Sequence, residues 1–361
     1  MRWAALTTAA LAMLIVSACS SNSSSSSSST PSGGSSPSSS STSSSLSGTL
    51  NASGSTFQTN FQQAAISAFK SVDSGITVNY GGGGSGKGRT DLAGGVVNFA
   101  GSDSPIPTTE TANFKGKTVL YFPVIIGPIT MAYNLSGVSS LKLTPTVIAD
   151  IFQGKITSWN NSAIKSINPG ANLPSTPITI AVRSDSSGTT QNFSLFLQKA
   201  AGSDWTLGSS STLKWPAAAH AAQGNSGVAQ VIKTTPGAIG YVDYSTAKAT
   251  GLSFASVKNK AGTYIAPSAS AASASASTAT VAPDLTFHAV WGSAPTAYPI
   301  TYQSWDLVYA KQPNANDAAM LKAYLGYLLG AGQQLLPGLS YAPLPASIDS
   351  MAKAQLSQIT S

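Results

Sequence analysis

The chain has 361 residues, and only 9% of them are charged, nineteen Lys or Arg against twelve Asp or Glu. The formal charge of +7 is spread over isolated lysines with no basic block or aromatic-basic stripe, which excludes an obvious nucleic-acid surface and leaves a weak general attraction for anions. One cysteine rules out an internal disulfide, and two histidines without a Cys/His cluster argue against a bound metal or cofactor.

Met1-Arg2 is a short basic start, Trp3 to Val16 is apolar, and Val16-Ser17-Ala18-Cys19 follows. The apolar run is too brief for a comfortable membrane span and reads as a secretory signal over residues 1–18. Its ending, an aliphatic residue, two small residues and cysteine, matches the bacterial lipobox. Cys19 is therefore expected to be the lipidated first residue of the mature protein, anchoring it to a membrane; an ordinary cleaved signal with an incidental cysteine is the alternative. Ser20 to Ser47 is almost entirely serine, has nothing to bury and is expected to be a disordered tether. At about 5–6 Å × √n it would reach roughly 26–32 Å.

From Gly48 onward there is enough chain for two α/β domains. Leu46 to Asn51 reads as a strand, Ala52 to Thr56 as a small-residue turn, and Phe57 to about Lys70 as a helix with Phe57, Phe61, Ala65, Ile66 and Phe69 on one face. Ile76 to Tyr80 alternates as a strand and opens into Gly81 to Gly88, followed by a short helix over Arg89 to Gly94. Gly81 to Lys87 fits the first seven positions of a P-loop, but Gly88 stands where a hydroxyl should hold magnesium. This run reads as a phosphate-accommodating turn and not as a nucleotide site.

Val96 to Pro105 is a strand ending in a turn with Asp103. Tyr121 to Asn134 is β-rich and interrupted by Gly127-Pro128, a break suited to a crossing between domains. Thr144 and Pro145 open a helix to Phe152. The alternating run Ile178 to Val182 is a strand, and Thr190 to Lys199 has helical spacing. Between them lies Arg183-Ser184-Asp185-Ser186-Ser187-Gly188-Thr189, a strand-to-helix turn whose unpaired N–H groups and helix dipole favour an anion. Gly224 to about Lys233 is a further helix, Pro236 to Val242 a turn and strand, and Ser268 to Thr280 an Ala/Ser patch expected to be a surface excursion. Pro299 to Tyr309 is a strand and Asp317 to Leu329 a long helix. Alternating β and α units imply a mainly parallel sheet.

Thr144 to Asn161, Asn168-Pro169-Gly170, Val182 to Thr190, Lys214-Trp215-Pro216, Pro236 to Tyr241 and Tyr341-Ala342-Pro343-Leu344-Pro345 together resemble the phosphate-binding protein of the bacterial phosphate-specific ABC transporter. The resemblance covers nearly all of residues 48–361. It implies an α/β, two-lobe periplasmic binding protein fold (type II), each lobe a mixed sheet flanked by helices with the ligand in the cleft between. One lobe would take 48–130 and 298–361, the other 131–297. It implies capture of inorganic phosphate outside the cytoplasm, in the periplasm or at the outer face of the membrane, and delivery to permease subunits. The implied ligand residues are Thr56, Phe57, Ser85, Asp103, Arg183, Ser187, Gly188 and Thr189, with Asp185 in support. Lys87 departs from a frequent glycine and adds a nearby positive charge, and Asn98-Phe99-Ala100-Gly101 departs from the usual Asp-Phe-Gly-Ala.

Phosphate at neutral pH keeps a proton and sulfate does not, so a buried carboxylate at Asp103 accepts from the first and faces only lone pairs on the second. Arg183 offers a planar fork to two oxygens, with Asp185 orienting it. The competing class is a secreted hydrolase of phosphate esters, which would need His220 or His288 beside a nucleophile; neither lies in a nucleophile-like turn.

Overall fold

The computed structural model describes residues 46–361. The predicted signal, Cys19 and the tether up to residue 45 lie outside the described residues.

Strand β1 (Gly48–Gly54) becomes fully buried over its last three residues and leads through a turn at Ser55 to Gln58 into helix α1 (Thr59–Phe69). The helix starts two residues later than its apolar face predicts. Ser55 Oγ accepts the Phe57 N–H at 3.1 Å, which bends the chain there, and Phe57 packs from outside the helix, stacked on Tyr302 with ring centroids 3.9 Å apart. Strand β2 (Ile76–Gly81) alternates as predicted. Helix α2 (Ser85–Ala93) begins inside the glycine run rather than after it. Gly83 and Gly84 take the positive φ values, +129° and +94°, that form the turn. Gly88 lies within the helix and is a glycine because a Cβ there would lie 2.7 Å from Gly54 Cα.

Strand β3 (Phe99–Ser102) is short and wholly buried. Strand β4 (Val119–Tyr133) runs unbroken through Gly127-Pro128. Gly127 is a glycine because Phe57 lies against it, 2.9 Å from where a Cβ would be. Small strand β5 (Lys142–Leu143) precedes α3 (Pro145–Phe152), where Thr144 accepts from Val147 N as the N-cap, and α4 (Ser162–Ile167). Then come β6 (Thr179–Arg183), α5 (Gly188–Ala200), β7 (His220–Ala222), α6 (Gly224–Thr234), β8 (Ala238–Asp243) and α7 (Tyr244–Ala249). Three short strands follow, β9 (Ser253–Phe254), β10 (Ser256–Lys258) and β11 (Tyr264–Ile265).

The Ala/Ser patch is not a surface excursion. It forms α8 (Ala269–Ala276), with Ala271, Ala272, Ser275 and Ala276 buried and Ser275 Oγ donating to Ala289 O at 2.6 Å. Small side chains allow it to pack closely on its neighbours, so low complexity here serves contact. Strand β12 (Thr301–Tyr309), α9 (Ala315–Leu329) and α10 (Ala346–Gln355) complete the chain.

The large sheet has the order β2-β1-β3-β12-β4-β8-β6-β7, with β9 also on β4. Its flanks are parallel, as predicted, but β12 and β4 run antiparallel to their neighbours, so the sheet is mixed. Residues Val119 to Pro128 of β4 pair with β12, and Ile129 to Tyr133 pair with β8. The partner changes at the Gly-Pro pair without the strand ending. Parallel strands deliver the helices that follow them, α1, α2, α5 and α6, with their N-termini at the carboxyl ends of the sheet, where ligands bind in open α/β sheets.

Candidate anion-binding site

Arg183 ends β6, and its side chain is 1% exposed. Its backbone N–H donates to Tyr241 Oη at 3.0 Å, and that hydroxyl pairs with Thr190 Oγ1 at 2.7 Å. Burial pushes the Tyr241 phenol up to about 12, so it stays a neutral brace. Arg183 Nε donates to Asp185 Oδ1 at 2.8 Å and Nη2 to Asp185 Oδ2. The fork is thus shared: Asp185 takes its side edge, and the Nη1/Nη2 end is turned toward Thr189, whose Oγ1 is 3.4 Å from Nη1. Burial raises the Asp185 carboxyl, but the Arg183 guanidinium and the Gly224 N–H (3.0 Å) outweigh it and hold it below the usual range.

Ser187 caps α5, accepting from Thr190 N at 3.1 Å. Gly188 and Thr189 supply the first N–H groups of a 13-residue helix, which have no intrahelical acceptor. A Cβ on Gly188 would lie 2.4 Å from Ser85 Oγ and 2.6 Å from Asp103 Cβ, so only glycine lets this helix end meet the turns from the other part of the chain.

Asp103 is 1% exposed in the turn after β3. Its Oδ1 accepts from Ser55 Oγ at 2.5 Å and Ser304 Oγ at 2.6 Å, and its Oδ2 from Ser85 Oγ at 3.4 Å. The Asp103 N–H donates to Ser85 Oγ at 3.1 Å. Burial raises the carboxyl to about 6, against the pull of Ser304, Ser55, Arg183 and Ser85. Arg89, fully buried, holds this turn: it pairs with Glu110 through two bonds of 2.7 and 2.9 Å and donates to Ser102 Oγ and Ser104 Oγ.

The structure therefore brings Thr56, Phe57, Ser85, Asp103, Arg183, Asp185, Ser187, Gly188 and Thr189 into one locality. The Phe57 N–H is directed at Ser55 rather than outward. Lys87 does not add a free positive charge, because Asp91 holds its Nζ at 2.7 Å. Arg183 is offset by Asp185 while Asp103 adds a negative charge. Affinity for an anion must come from aligned donors and helix dipoles rather than net charge.

Several residues escaped the sequence reading. Asn225, in the first turn of α6, donates from N and Nδ2 to Thr56 Oγ1, both at 3.2 Å, and from Nδ2 to Thr189 Oγ1 at 3.4 Å. Asn192 Nδ2 donates to Asp103 O at 2.7 Å. Ser55, Gln303 and Ser304 also reach Asp103. Gly224-Asn225 before a helical run carried some signal for an N-terminal donor; a serine in a strand two hundred residues from its partner carried none. Asn225 Oδ1, Asp243 Oδ2 and Tyr302 Oη are buried without a hydrogen-bond partner. A cavity of about 260 Å³ adjoins the site, bounded by Thr56, Asn60, Gly83, Asn225 and Thr246. Among the described residues, neither histidine is hydrogen-bonded to a hydroxyl of the site, and no group of acidic, His or Cys side chains has metal-ligand geometry.

A mixed sheet threaded by one long strand, with helix N-termini from both halves meeting over a buried arginine and aspartate, defines a two-lobe periplasmic binding protein fold. The comparisons agree. The profile of the PBP superfamily domain matches residues 39–331. Phosphate-binding protein PstS 3 of Mycobacterium leprae is 37% identical over 312 residues, covering 84% of each chain. Phosphate-binding protein PstS 2 of Mycobacterium tuberculosis is 33% identical over 327 residues, covering 86% of this chain and 87% of that one. A solved high-affinity periplasmic phosphate-binding protein (PfluDING), bound with phosphate, superposes with a TM-score of 0.72 at 22% identity, covering 85% of this chain and 94% of that one. The chain belongs to the PstS phosphate-binding protein family of the PBP superfamily.

Proposed function

We propose that the protein captures inorganic phosphate outside the cytoplasm and delivers it to the permease of an ABC-type phosphate importer, acting as a carrier and not as an enzyme. The observation that carries this reading is the meeting of a buried carboxylate with a helix N-terminus. Asp103 Oδ2 lies 2.8 Å from the Cβ position of Gly188, in the first turn of α5. Donors suit the oxygens of a tetrahedral anion, and the acceptor suits an anion that still carries a proton. In this reading Thr56, Ser85, Arg183, Ser187, Gly188 and Thr189 hold oxygens through hydroxyls, backbone N–H groups and the guanidinium end, and Phe57, whose N–H goes to Ser55 Oγ, braces the turn that carries Thr56. Asp103 accepts the proton, and Asp185 orients Arg183.

We assign 48–130 and 298–361 to one lobe and 131–297 to the other. The exchange of β4 partners between Pro128 and Ile129 supports that division. Contacts that close the cleft in this assignment are Gly86 N to Ser186 O (3.0 Å), Asn192 to Asp103 and Asn225 to Thr56. Opening would break these polar bonds, as hinge motion requires. The lobes are expected to draw together on phosphate binding, which small-angle scattering with and without phosphate would register as compaction. Among the described residues no helix is long and apolar enough to cross a membrane. Attachment is assigned to a lipid on Cys19, with the serine tether giving reach; loss of fatty-acid labelling in Cys19→Ser tests it. Titration calorimetry with phosphate and sulfate at pH 8 tests the function itself. Tight binding of phosphate with weak or no binding of sulfate is expected, and no phosphate binding would refute it.

A further inference from the structure

We propose that Ser304, held by Gln58, is a positioning residue that fills one oxygen of the Asp103 carboxylate and leaves the other to select a protonated anion. The inference rests on the phosphate reading of the site.

The pairing of β12 with β4 shifts register between Ser304 and Trp305: Ser304 faces Ile125 and Trp305 faces Pro123, which leaves Val124 of β4 as the extra residue. Such a bulge bends the ladder and increases its local twist. Here both Gln303 and Ser304 reach Asp103, the first from Nε2 to its carbonyl at 3.2 Å, the second from Oγ to Oδ1 at 2.6 Å. Gln58 Nε2 donates to Ser304 Oγ at 2.7 Å and to Trp305 O at 2.9 Å, so both of its hydrogens are committed to the bulge. The orientation of that amide is itself set. Gln58 Oε1 accepts from Gln62 Nε2 at 2.9 Å, Gln62 Oε1 accepts from Tyr324 Oη at 2.7 Å, and the other Gln62 hydrogen lies between the two Asp306 oxygens at 3.1 and 3.3 Å.

A serine hydroxyl has one hydrogen. With Gln58 donating to it, Ser304 sends that hydrogen to Asp103 Oδ1, 2.6 Å away, in preference to Ser102 O at 3.3 Å. Ser55 repeats the logic: it accepts from Phe57 N and donates to the same Oδ1 at 2.5 Å. Two hydroxyl hydrogens thus occupy Oδ1, whereas Oδ2, which faces Gly188, accepts only the longer 3.4 Å bond from Ser85 Oγ, so a proton on the carboxyl sits on Oδ2. Ionised, Oδ2 accepts from phosphate and opposes sulfate. Protonated, it donates and admits sulfate. The bond from Ser304 favours the ionised form. The other groups facing Asp103 are Arg183 from β6, Asp243 at the end of β8, itself raised to about 6 by burial, and the phenols of Tyr80, Tyr302 and Tyr341, which burial pushes up.

The test is calorimetry of the full chain with phosphate and separately with sulfate between pH 5.5 and 8.5 for wild type, Ser304→Ala and Ser304→Thr, repeated in an Asp243→Asn background to remove the second titrating carboxyl. Wild type should bind sulfate only on the acid side of about pH 6, where the buried Asp103 carboxyl takes up its proton. In Ser304→Ala the onset should move up by about one pH unit and the phosphate-to-sulfate affinity ratio at pH 7 fall about tenfold, as loss of one hydrogen bond to a charged group implies. Ser304→Thr should restore both. If Ser304→Ala does not fold, Gln58→Met, which frees the serine hydrogen to turn to Ser102, must move the onset in the same direction. An unmoved onset and ratio, or equal weakening of both anions at every pH, overturns the inference and leaves the phosphate reading intact. Failure of wild type to bind phosphate overturns both.

Discussion

Replacing Asp103 with Asn keeps the side-chain shape and removes its charge, and the structure dictates how the amide will sit. Ser55 and Ser304 both donate to the Oδ1 position, so the carbonyl oxygen must stay there and the NH2 must take the place of Oδ2. The group facing the ligand changes from acceptor to donor. Phosphate loses a hydrogen bond to a charged partner, worth about 1.5–3 kcal/mol, or roughly 10- to 150-fold in affinity. Sulfate loses an opposing buried charge and gains a donor, a change of similar size and opposite sign. The margin between the anions should therefore shrink by about two to four decades. Calorimetry at pH 8 is the assay, since the wild-type carboxyl, raised to about 6, is then ionised. Phosphate weakened with the ratio to sulfate unchanged would refute the proton-acceptor argument.

Other consequences follow from the same geometry. Burial raises Asp103 and Asp243 to about 6 and Asp306 to about 7, so the folded protein holds these protons more tightly than the unfolded chain. Their contribution to stability is full below the unfolded value near 3.8 and is lost as pH rises through 6–7; Asp91 and Asp185, held low, act in the opposite sense at more acid pH. Without phosphate, thermal melts should show stability falling from about pH 4 to 7, and Asp306→Asn should flatten that fall by about 2–4 kcal/mol. Glu110→Gln leaves the buried Arg89 without its charge partner and should cost about 2–3 kcal/mol in denaturant unfolding, at the low end for such pairs because Glu110 is 30% exposed. Gly188→Ala puts a methyl group 2.4 Å from Ser85 Oγ and should weaken phosphate about 10- to 100-fold, with less compaction in scattering and little change in the unfolding midpoint without ligand.

The elements whose signals are local were legible in the residues. Alternation in Ile76–Gly81, the Thr144 cap before Pro145, the strand-to-helix turn at Arg183 to Thr189 and the helix opened by Gly224 depend on neighbours within a few positions, and a linear pattern records them. The boundaries that moved were those where a distant segment intervened. Helix α2 keeps glycine within it where other backbone passes too close for a side chain, and the Ala/Ser patch is a packed helix whose small side chains admit close neighbours. The chain also named most of the polar groups gathered at the site but not how they face each other. The Arg183–Asp185 pair is expected from their spacing, and Lys87–Asp91 is a local i,i+4 contact that depends only on where α2 starts. Only the tertiary structure set Ser304, beside the register shift at Val124 of β4, on an aspartate 201 positions away. Such contacts depend on strand register and side-chain direction across the sheet, which no local pattern encodes.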